Sequence, residues 1–206
     1  ISESTNQLEY ALLLFVGLIF FNVFSDVINR SPGLIIANTS YVTKVVFPLE
    51  ILSIVALGNA LVHSLISLVV LLGAVFIVYG SINWNIIYLI PMIYLSVSLL
   101  TLGLSWFLSS LGVFLRDLNY LISIIVQVLF FMTPIFYPVT AVPEEFRLVM
   151  ELNPLTGIIE NARNIILFNE MPNWEWYFTS LGISFIIAIL GYAWFKKTKK
   201  AFADVL

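Results

Sequence analysis

The long uncharged apolar runs of this sequence constrain its fold more than any other feature. Residues 51–79 contain no Asp, Glu, Lys or Arg, and about 20 apolar residues are enough for a helix to cross a bilayer. A soluble domain of 206 residues could not bury a sequence that is 61% hydrophobic and only 10% charged. The sequence therefore predicts an all-α polytopic membrane protein.

The apolar runs predict five transmembrane helices within a single transmembrane domain that covers residues 1–206. The predicted spans are residues 8–28, 51–79, 86–115, 118–136 and 176–195. Trp174 and Trp176 form an aromatic belt at one end of the last span, and the lysine-rich segment 196–200 marks its other end.

The distribution of lysine and arginine predicts a cytoplasmic C-terminus. In this orientation only Arg147 and Arg163, of nine basic residues, lie on the outer side, as the positive-inside rule requires. The same orientation places Ile1 outside. We therefore expect that a preceding span, which would return the N-terminus to the cytoplasm, is missing from the numbered chain.

The stretch from Leu121 to Asn164 organises the rest of the chain. Its apolar first part is interrupted by Pro134, Pro138 and Pro143, which a regular helix cannot absorb without a kink or an end. Non-helical backbone at membrane depth is tolerated only where protein buries it or water reaches it. We predict short re-entrant or extracytoplasmic gate helices here, which cover or line a cavity.

A polar seam recurs every four residues in the second span, at Asn59, His63 and Ser67. Polar residues at this spacing lie on one helix face and are typical of a helix–helix contact or of a surface that faces a channel. A catalytic or proton-relay role for His63 is the alternative, and no second titratable group lies near it in the sequence.

Few residues in the sequence are suited to catalysis or to metal binding. There is no cysteine and only one histidine, which excludes thiolate catalysis and histidine clusters. The segment 191–198 superficially matches a phosphate-binding loop, but Lys196 replaces its second glycine and the segment ends a span. We predict no catalytic residue, no bound cofactor and no metal site in this chain.

Two short segments lie between spans on the predicted inner side. Residues 38–50 form either a short amphipathic cytoplasmic helix that docks on a partner or an ordinary interfacial loop. Arg116 and Asp117 fit a tight turn at the membrane boundary better than the alternative, a buried functional ion pair, and Asp26 is a boundary or seam residue.

An aromatic group ends the fourth span, and its members are Phe130, Phe131, Phe136 and Tyr137. Aromatic side chains favour the membrane interface, so these residues could form an ordinary interfacial belt. Stacking on sugar rings in an export path is the sharper interpretation, and the spacing of the residues does not separate the two.

Five motifs in this order resemble one family. They are residues 44–52 (KVVFPLEIL), 112–117 (GVFLRD), 134–138 (PIFYP), 153–157 (NPLTG) and 202–206 (FADVL). Together they are similar to the permease subunits of polysaccharide-exporting ABC transporters, the type-2 permeases that move O-antigen, capsule or teichoic acid. The resemblance covers essentially the whole chain.

The resemblance implies a subunit of six membrane helices preceded by an amphipathic interface helix, so that the spans present here would be the second to the sixth. It implies a homodimer in the bacterial cytoplasmic membrane, with a central channel for an undecaprenyl-linked glycan. ATP and Mg would bind to two copies of a separate nucleotide-binding subunit. No nucleic-acid partner is implied.

The resemblance also implies roles for individual residues. Those that would couple the permease to the ATPase are Tyr41, Lys44, Pro48, Glu50, Arg116 and Asp117. Those that would line the channel or form the outer gate are Phe130, Phe131, Tyr137, Pro138, Asn153 and Pro154.

Two other functions stay open at this point. One is a type-2 ABC exporter of drugs or lipids. The other is a membrane enzyme of glycan assembly, which would need a constellation of titratable groups at the outer face. The acidic residues available there are Glu144, Glu145 and Glu151, and they are more typical of a solvated helix.

Overall fold

In the computed structural model of the chain, all the regular secondary structure of the described residues is helical. The described residues are 3–43, 47–82, 84–115, 117–137, 139, 142–143, 150 and 152–205, and no strand occurs among them. The α-helices are α1 (Glu3–Arg30), α2 (Thr39–Thr43), α3 (Ile51–Tyr79), α4 (Ile86–Phe114), α5 (Leu118–Met132), α6 (Pro154–Ile166), α7 (Trp174–Thr198) and α8 (Phe202–Val205). Short 3-10 turns lie at Ser31–Gly33, Ile36–Asn38 and Lys199–Ala201.

Four of the five predicted spans are long enough and apolar enough to cross a membrane. They correspond to Gln7–Gly33, Ile51–Tyr79, Ile86–Phe114 and Trp174–Ala201. The remaining one, α5, is apolar but has 15 residues, about 22 Å of helix against a hydrocarbon core of about 30 Å. The prediction of an all-helical membrane protein is therefore confirmed, with one helix shorter than expected.

The fourth predicted span ends earlier than residue 136 because of Pro134. A proline disfavours helical geometry at the residue before it, and Thr133 is extended, with φ −93° and ψ 139°. The chain therefore leaves α5 after Met132 in an irregular segment. Most of the region predicted to form gate helices, namely residues 138, 140–141, 144–149 and 151, lies outside the described residues.

Helix α3 buries one face against the rest of the protein and exposes its other faces. Its buried positions recur every three or four residues: Ser53, Leu57, Ala60, Ser64, Leu68, Leu71 and Val75. Val69 and Ile77 are among the exposed residues between them, as expected for a surface that contacts lipid. Gly80 ends the helix in a left-handed conformation, with φ 72°, and donates its N–H to the carbonyl of Phe76.

Helices α4 and α7 pack closely because small residues face each other. A Cβ atom at Gly103 would meet the backbone of Ile187 and Ala188, and one at Gly191 would overlap the carbonyl of Gly103. Small residues let helix backbones approach where the hydrophobic effect does not drive association. This pair places α4 at the centre of the bundle, against α1, α3 and α7.

Helix α6 lies among the longer helices although it is only 13 residues long. Asn153 caps it by accepting a hydrogen bond from the N–H of Leu155, and Pro154 takes the first helical position. The break that the sequence placed at Asn153-Pro154 is thus the start of a helix. Its side chains from Leu155 to Ile159 are buried against α1, α4 and α7.

Candidate functional site

A polar groove opens between the C-terminal part of α1 and the middle of α3. Its volume is about 620 Å³. Its lining residues are Ile19, Asn22, Val23, Ser25, Asp26, Asn29 and Arg30 from α1, with Ala60, His63, Ser64 and Ser67 from α3. Because ionisable side chains within spanning helices are expensive, they usually face a cavity or a partner and mark a functional surface.

The charges of the groove lie on adjacent turns of α1. Arg30 Nη2 is 2.9 Å from Asp26 Oδ1, and the two side chains are 55% and 37% exposed. Such a pair lowers the cost of placing either charge near the membrane but leaves both groups accessible. His63 lines the same groove from α3. The structure therefore brings His63 and Asp26, which are far apart in the sequence, to the same groove.

The predicted polar seam divides in the structure. His63 and Ser67 line the groove, whereas Asn59 is exposed and is not among the lining residues. Ser64, which the seam did not include, is buried and shares a hydrogen bond of 2.7 Å with the hydroxyl of Tyr94. Its signal in the sequence is the Ala60–Ser64–Leu68 spacing, which is the buried face of α3.

A second polar stripe follows α5. Asn119, Ser123 and Gln127 recur every four residues and are exposed, whereas Leu118, Ile122 and Val126 are buried. The sequence analysis did not single out this stripe, although its spacing is visible in the sequence. An exposed amide on an apolar helix is costly in lipid, so this face also favours a cavity or another protein surface.

The aromatic cluster consists of Phe21, Phe130, Phe131 and Phe136. Phe130 packs in its middle, 5.2 Å from the ring of Phe21 and 5.1 Å from that of Phe136. Phe131 is 61% exposed, so it is the member best placed to contact a ligand. Tyr137 donates its hydroxyl to the carbonyl of Phe131 at 3.1 Å. Pro138, predicted beside them, lies outside the described residues.

Asn153 joins the predicted gate residues to α5. Besides capping α6, it donates its amide to Thr133 Oγ1 at 3.1 Å. Pro154 follows as the first residue of α6. The two residues therefore fasten the start of α6 to the segment that leaves α5.

The burial of Arg163 was not predicted. The positive-inside rule places this residue on the outer side, and in the structure its side chain is 1% exposed, with Nη1 2.9 Å from Glu160 Oε1. It also donates to the carbonyls of Leu13, at 3.3 Å, and Ile135, at 2.7 Å. The Glu160–Arg163 spacing of three residues in an apolar helix was the available signal.

Burial determines the electrostatics of this pair. Burial raises the pKa of the Glu160 carboxyl, and the nearby Arg163 guanidinium only partly offsets that rise. Arg163 itself joins α6 to α1 and to the irregular segment after α5, through its bonds to the carbonyls of Leu13 and Ile135.

The described members of the predicted coupling set lie on α2, just before α3 and just before α5. The ring of Tyr41 stacks on that of Phe47 at 4.8 Å, and the carbonyl of Pro48 accepts the N–H of Ile51. Asp117 is exposed and directly precedes α5. Lys44 and Arg116 lie outside the described residues.

Glu50 is bound within the chain. Its carboxylate accepts hydrogen bonds from Lys199 Nζ at 2.9 and 3.3 Å, and its carbonyl accepts one from Trp106 Nε1 at 3.0 Å. Burial opposes ionisation, but the hydrogen bonds together with Lys199 and Lys196 outweigh it and hold the pKa of Glu50 below its usual value.

No three His, Cys, Asp or Glu side chains cluster as metal ligands within the described part of the chain. The groove and the two polar faces offer hydroxyl, amide and charged groups, which suit hydrogen bonding to a polar ligand.

Comparison with known proteins places the chain in a family. The family model described as "ABC-2 type transporter" matches residues 2–167. An O-antigen export system permease protein RfbA from Klebsiella pneumoniae is 32% identical over 204 residues, which cover 96% of this chain and 76% of the relative. A protein of the same name from Myxococcus xanthus is 25% identical over 199 residues, covering 95% of this chain and 76% of the relative.

A second Klebsiella pneumoniae protein of that name is 31% identical over 208 residues, again covering 96% of this chain and 76% of the relative. The resemblance drawn from the five sequence motifs is thus confirmed. With several helices able to cross a membrane, this chain belongs to the ABC-2 type transporter family of membrane proteins.

Proposed function

We propose that this chain is the permease subunit of an exporter that moves a lipid-linked polysaccharide across the bacterial cytoplasmic membrane. A separate subunit binds Mg-ATP and supplies the energy. The observation that carries the proposal is the polar groove of about 620 Å³ between two helices that are otherwise apolar. It occurs in a chain whose relatives, over 96% of its length, are named O-antigen export permeases.

The chemistry of the groove suits a glycan. Sugar hydroxyls both donate and accept hydrogen bonds, and they lose those to water on entering a bilayer. The amides of Asn22 and Asn29 and the hydroxyl of Ser67 offer both donors and acceptors in the groove. A path of this kind lowers the cost of passing a hydrated polymer through the hydrocarbon region.

A homodimer would complete the path. In one copy the groove and the α5 stripe are open on one side, where lipid would face their polar groups and offer them no hydrogen bonds. Two copies related by a two-fold axis would turn these faces toward each other and enclose a channel. The exposed ring of Phe131 would then lie near the end of that channel and stack on sugar faces.

Coupling to the ATPase would occur at the ends of α1, α3 and α4, which the orientation rule places in the cytoplasm. Tyr41 and Asp117 are exposed there, and Lys44, Pro48, Glu50 and Arg116 belong to the same set. Closure of the ATPase dimer would move this region, and the segment between α5 and α6 would open at the opposite end.

Co-purification tests the proposal. The full-length tagged protein is expressed together with its neighbouring genes and isolated in mild detergent. The ATP turnover of the eluate is then measured. We expect an ATP-binding subunit at about one copy per permease, with turnover stimulated by lipid-linked oligosaccharide. A pure protein with neither partner nor turnover would contradict the transport function and return attention to enzymes of glycan assembly.

Groove variants provide the second part of the test. Asn22→Leu and Ser67→Leu would remove polar lining, and the side-chain bond of Ser67 that is lost lies within its own helix. We expect the complex with the ATPase to form while glycan export falls. The matched control is Val69→Leu, an exposed position on another face of α3, which should export normally.

A further inference from the structure

The C-terminal end of α7 is fastened to the segment that precedes α3 by an ion pair. Lys199 Nζ lies 2.9 and 3.3 Å from the two carboxylate oxygens of Glu50. The side chains are 33% and 20% exposed, so water screens the pair only in part. The two residues are 149 positions apart in sequence, so the contact joins the first part of the chain to its last.

Glu50 is held from a third element as well. The indole N–H of Trp106, on α4, donates to the carbonyl of Glu50 at 3.0 Å. The Trp106 ring contacts that of Tyr192 on α7, with centroids 5.0 Å apart. Helices α4 and α7 thus position the backbone and the side chain of Glu50 together.

An apolar cluster lies in the same region as the ion pair and includes Leu49, the residue before Glu50. Its buried members are Ile35, Leu49, Val113, Phe195 and Phe202. The rings of Phe195 and Phe202 meet edge to face at 5.6 Å, and both side chains are almost completely buried. Ser110 and Thr198 add a hydrogen bond of 2.6 Å between α4 and α7. The C-terminal turn is therefore packed into the region that joins α1 to α3.

The neighbouring lysines are arranged differently. Lys197 and Lys200 are exposed, and Lys196 lies 5.8 Å from the Tyr192 ring centroid. A lysine cluster that served only the orientation of the last span would not need one member folded back onto Glu50.

We infer that Lys199 is a positioning residue, which holds Glu50 so that movement of the segment before α3 is transmitted to α7 as well as to α3. The inference rests on the proposed function, because it concerns how the permease responds to its ATPase. Glu50 then acts inside the permease, where α3, α4 and α7 meet, and the exposed Tyr41 and Asp117 are left to contact the partner.

A charge exchange tests this assignment. Lys199→Glu and Glu50→Lys each place two like charges at about the same distance, and the double variant restores an opposite pair. We expect glycan-stimulated ATP turnover in the reconstituted complex to fall about fivefold or more in each single variant, a typical allosteric coupling factor. The double variant should recover to within about twofold of the natural protein.

The controls separate positioning from charge and from folding. Lys200→Glu makes the same change in net charge at an exposed position and should leave stimulated turnover unchanged. Lys199→Arg keeps the ion pair and should retain most of the stimulation. Should the charge reversals fail to fold, Lys199→Gln and Glu50→Gln replace them, and their combined effect should be smaller than the sum of the two single effects.

Each outcome has a distinct meaning. Equal damage from Lys200→Glu, or no recovery in the double variant, would overturn the positioning role while leaving the transport function intact. A natural protein that binds no ATPase would instead overturn the proposed function.

Discussion

Two ion pairs of this chain have nearly the same geometry and very different surroundings. Asp26 and Arg30 lie 2.9 Å apart in the polar groove, and Glu160 and Arg163 lie 2.9 Å apart on α6. Arg30 is 55% exposed, whereas Arg163 is 1% exposed and also bonds to two backbone carbonyls.

The difference shows that the surroundings of an ion pair decide its role. A buried guanidinium must find all its partners within the protein, which fixes the elements around it. An accessible guanidinium keeps bonding capacity for a ligand and adds little to stability. We therefore assign Glu160–Arg163 to the architecture and Asp26–Arg30 to the proposed path.

The largest expected effect comes from breaking the buried pair. Arg163→Met leaves the half-buried carboxyl of Glu160 without its partner and removes the donors to the carbonyls of Leu13 and Ile135. Removing one partner of a buried pair costs about 3–5 kcal/mol, so the variant should lose most of its folded population in detergent. The measurement is thermal unfolding followed by size-exclusion chromatography. Combining it with Glu160→Gln should recover part of the stability.

The accessible pair should behave in the opposite way. Arg30→Met removes an exposed pair worth about 0.3–0.5 kcal/mol, so the free energy of unfolding should hardly change. Export should fall about tenfold, as expected when one charged hydrogen bond to the substrate is lost. The stability of both variants is measured under the same conditions. If Arg30→Met loses as much stability as Arg163→Met, the distinction between the two pairs is contradicted.

Ser64 and Ser67 of the groove allow the same comparison, between a buried and a more accessible contact, to be made with uncharged side chains. Ser64→Ala removes the buried bond to Tyr94 and should destabilise the protein by about 1 kcal/mol. Ser67→Ala removes a bond to its own helix, at the carbonyl of His63, and should cost less in stability. Chemical unfolding of both variants in the same detergent checks the order, and equal losses would contradict it.

The smallest effect concerns pH at Glu50. Its pKa is lowered from the usual value of 4.5, so the Lys199 contact is stabilising above that pH and is lost as the pH falls through the lower folded value. We expect the melting temperature to decrease below about pH 4.5, and to decrease less in Glu50→Gln. Identical pH profiles for the two proteins would show that Glu50 does not titrate with the fold.

Much of the fold was predictable because its signals are local. Long apolar runs located the four long helices, and the Pro134 and Asn153-Pro154 breaks located the end of α5 and the start of α6. The length of α5 was misjudged, because apolar character continues past Thr133 while helical geometry does not.

The candidate site was predictable only in part. His63 and Ser67 were found from their spacing on α3, but Ser64 was missed because its value depends on Tyr94 of another helix. The channel role of Phe130 stays a prediction, and the rings that it packs against, Phe21 and Phe136, were not visible from its spacing. Spacing gives the face of one helix, and only neighbouring helices decide what that face meets.

By itself the sequence determined the helical class, the positions of the helices and the family, because each rests on composition, on breaks or on short motifs. The tertiary structure alone decided that His63 and Asp26 line one groove, that Arg163 is buried and that Lys199 holds Glu50. The physical reason is that burial and partners are set by the packing of distant segments. The role of an ionisable side chain depends on whether that packing buries it or leaves it exposed to water.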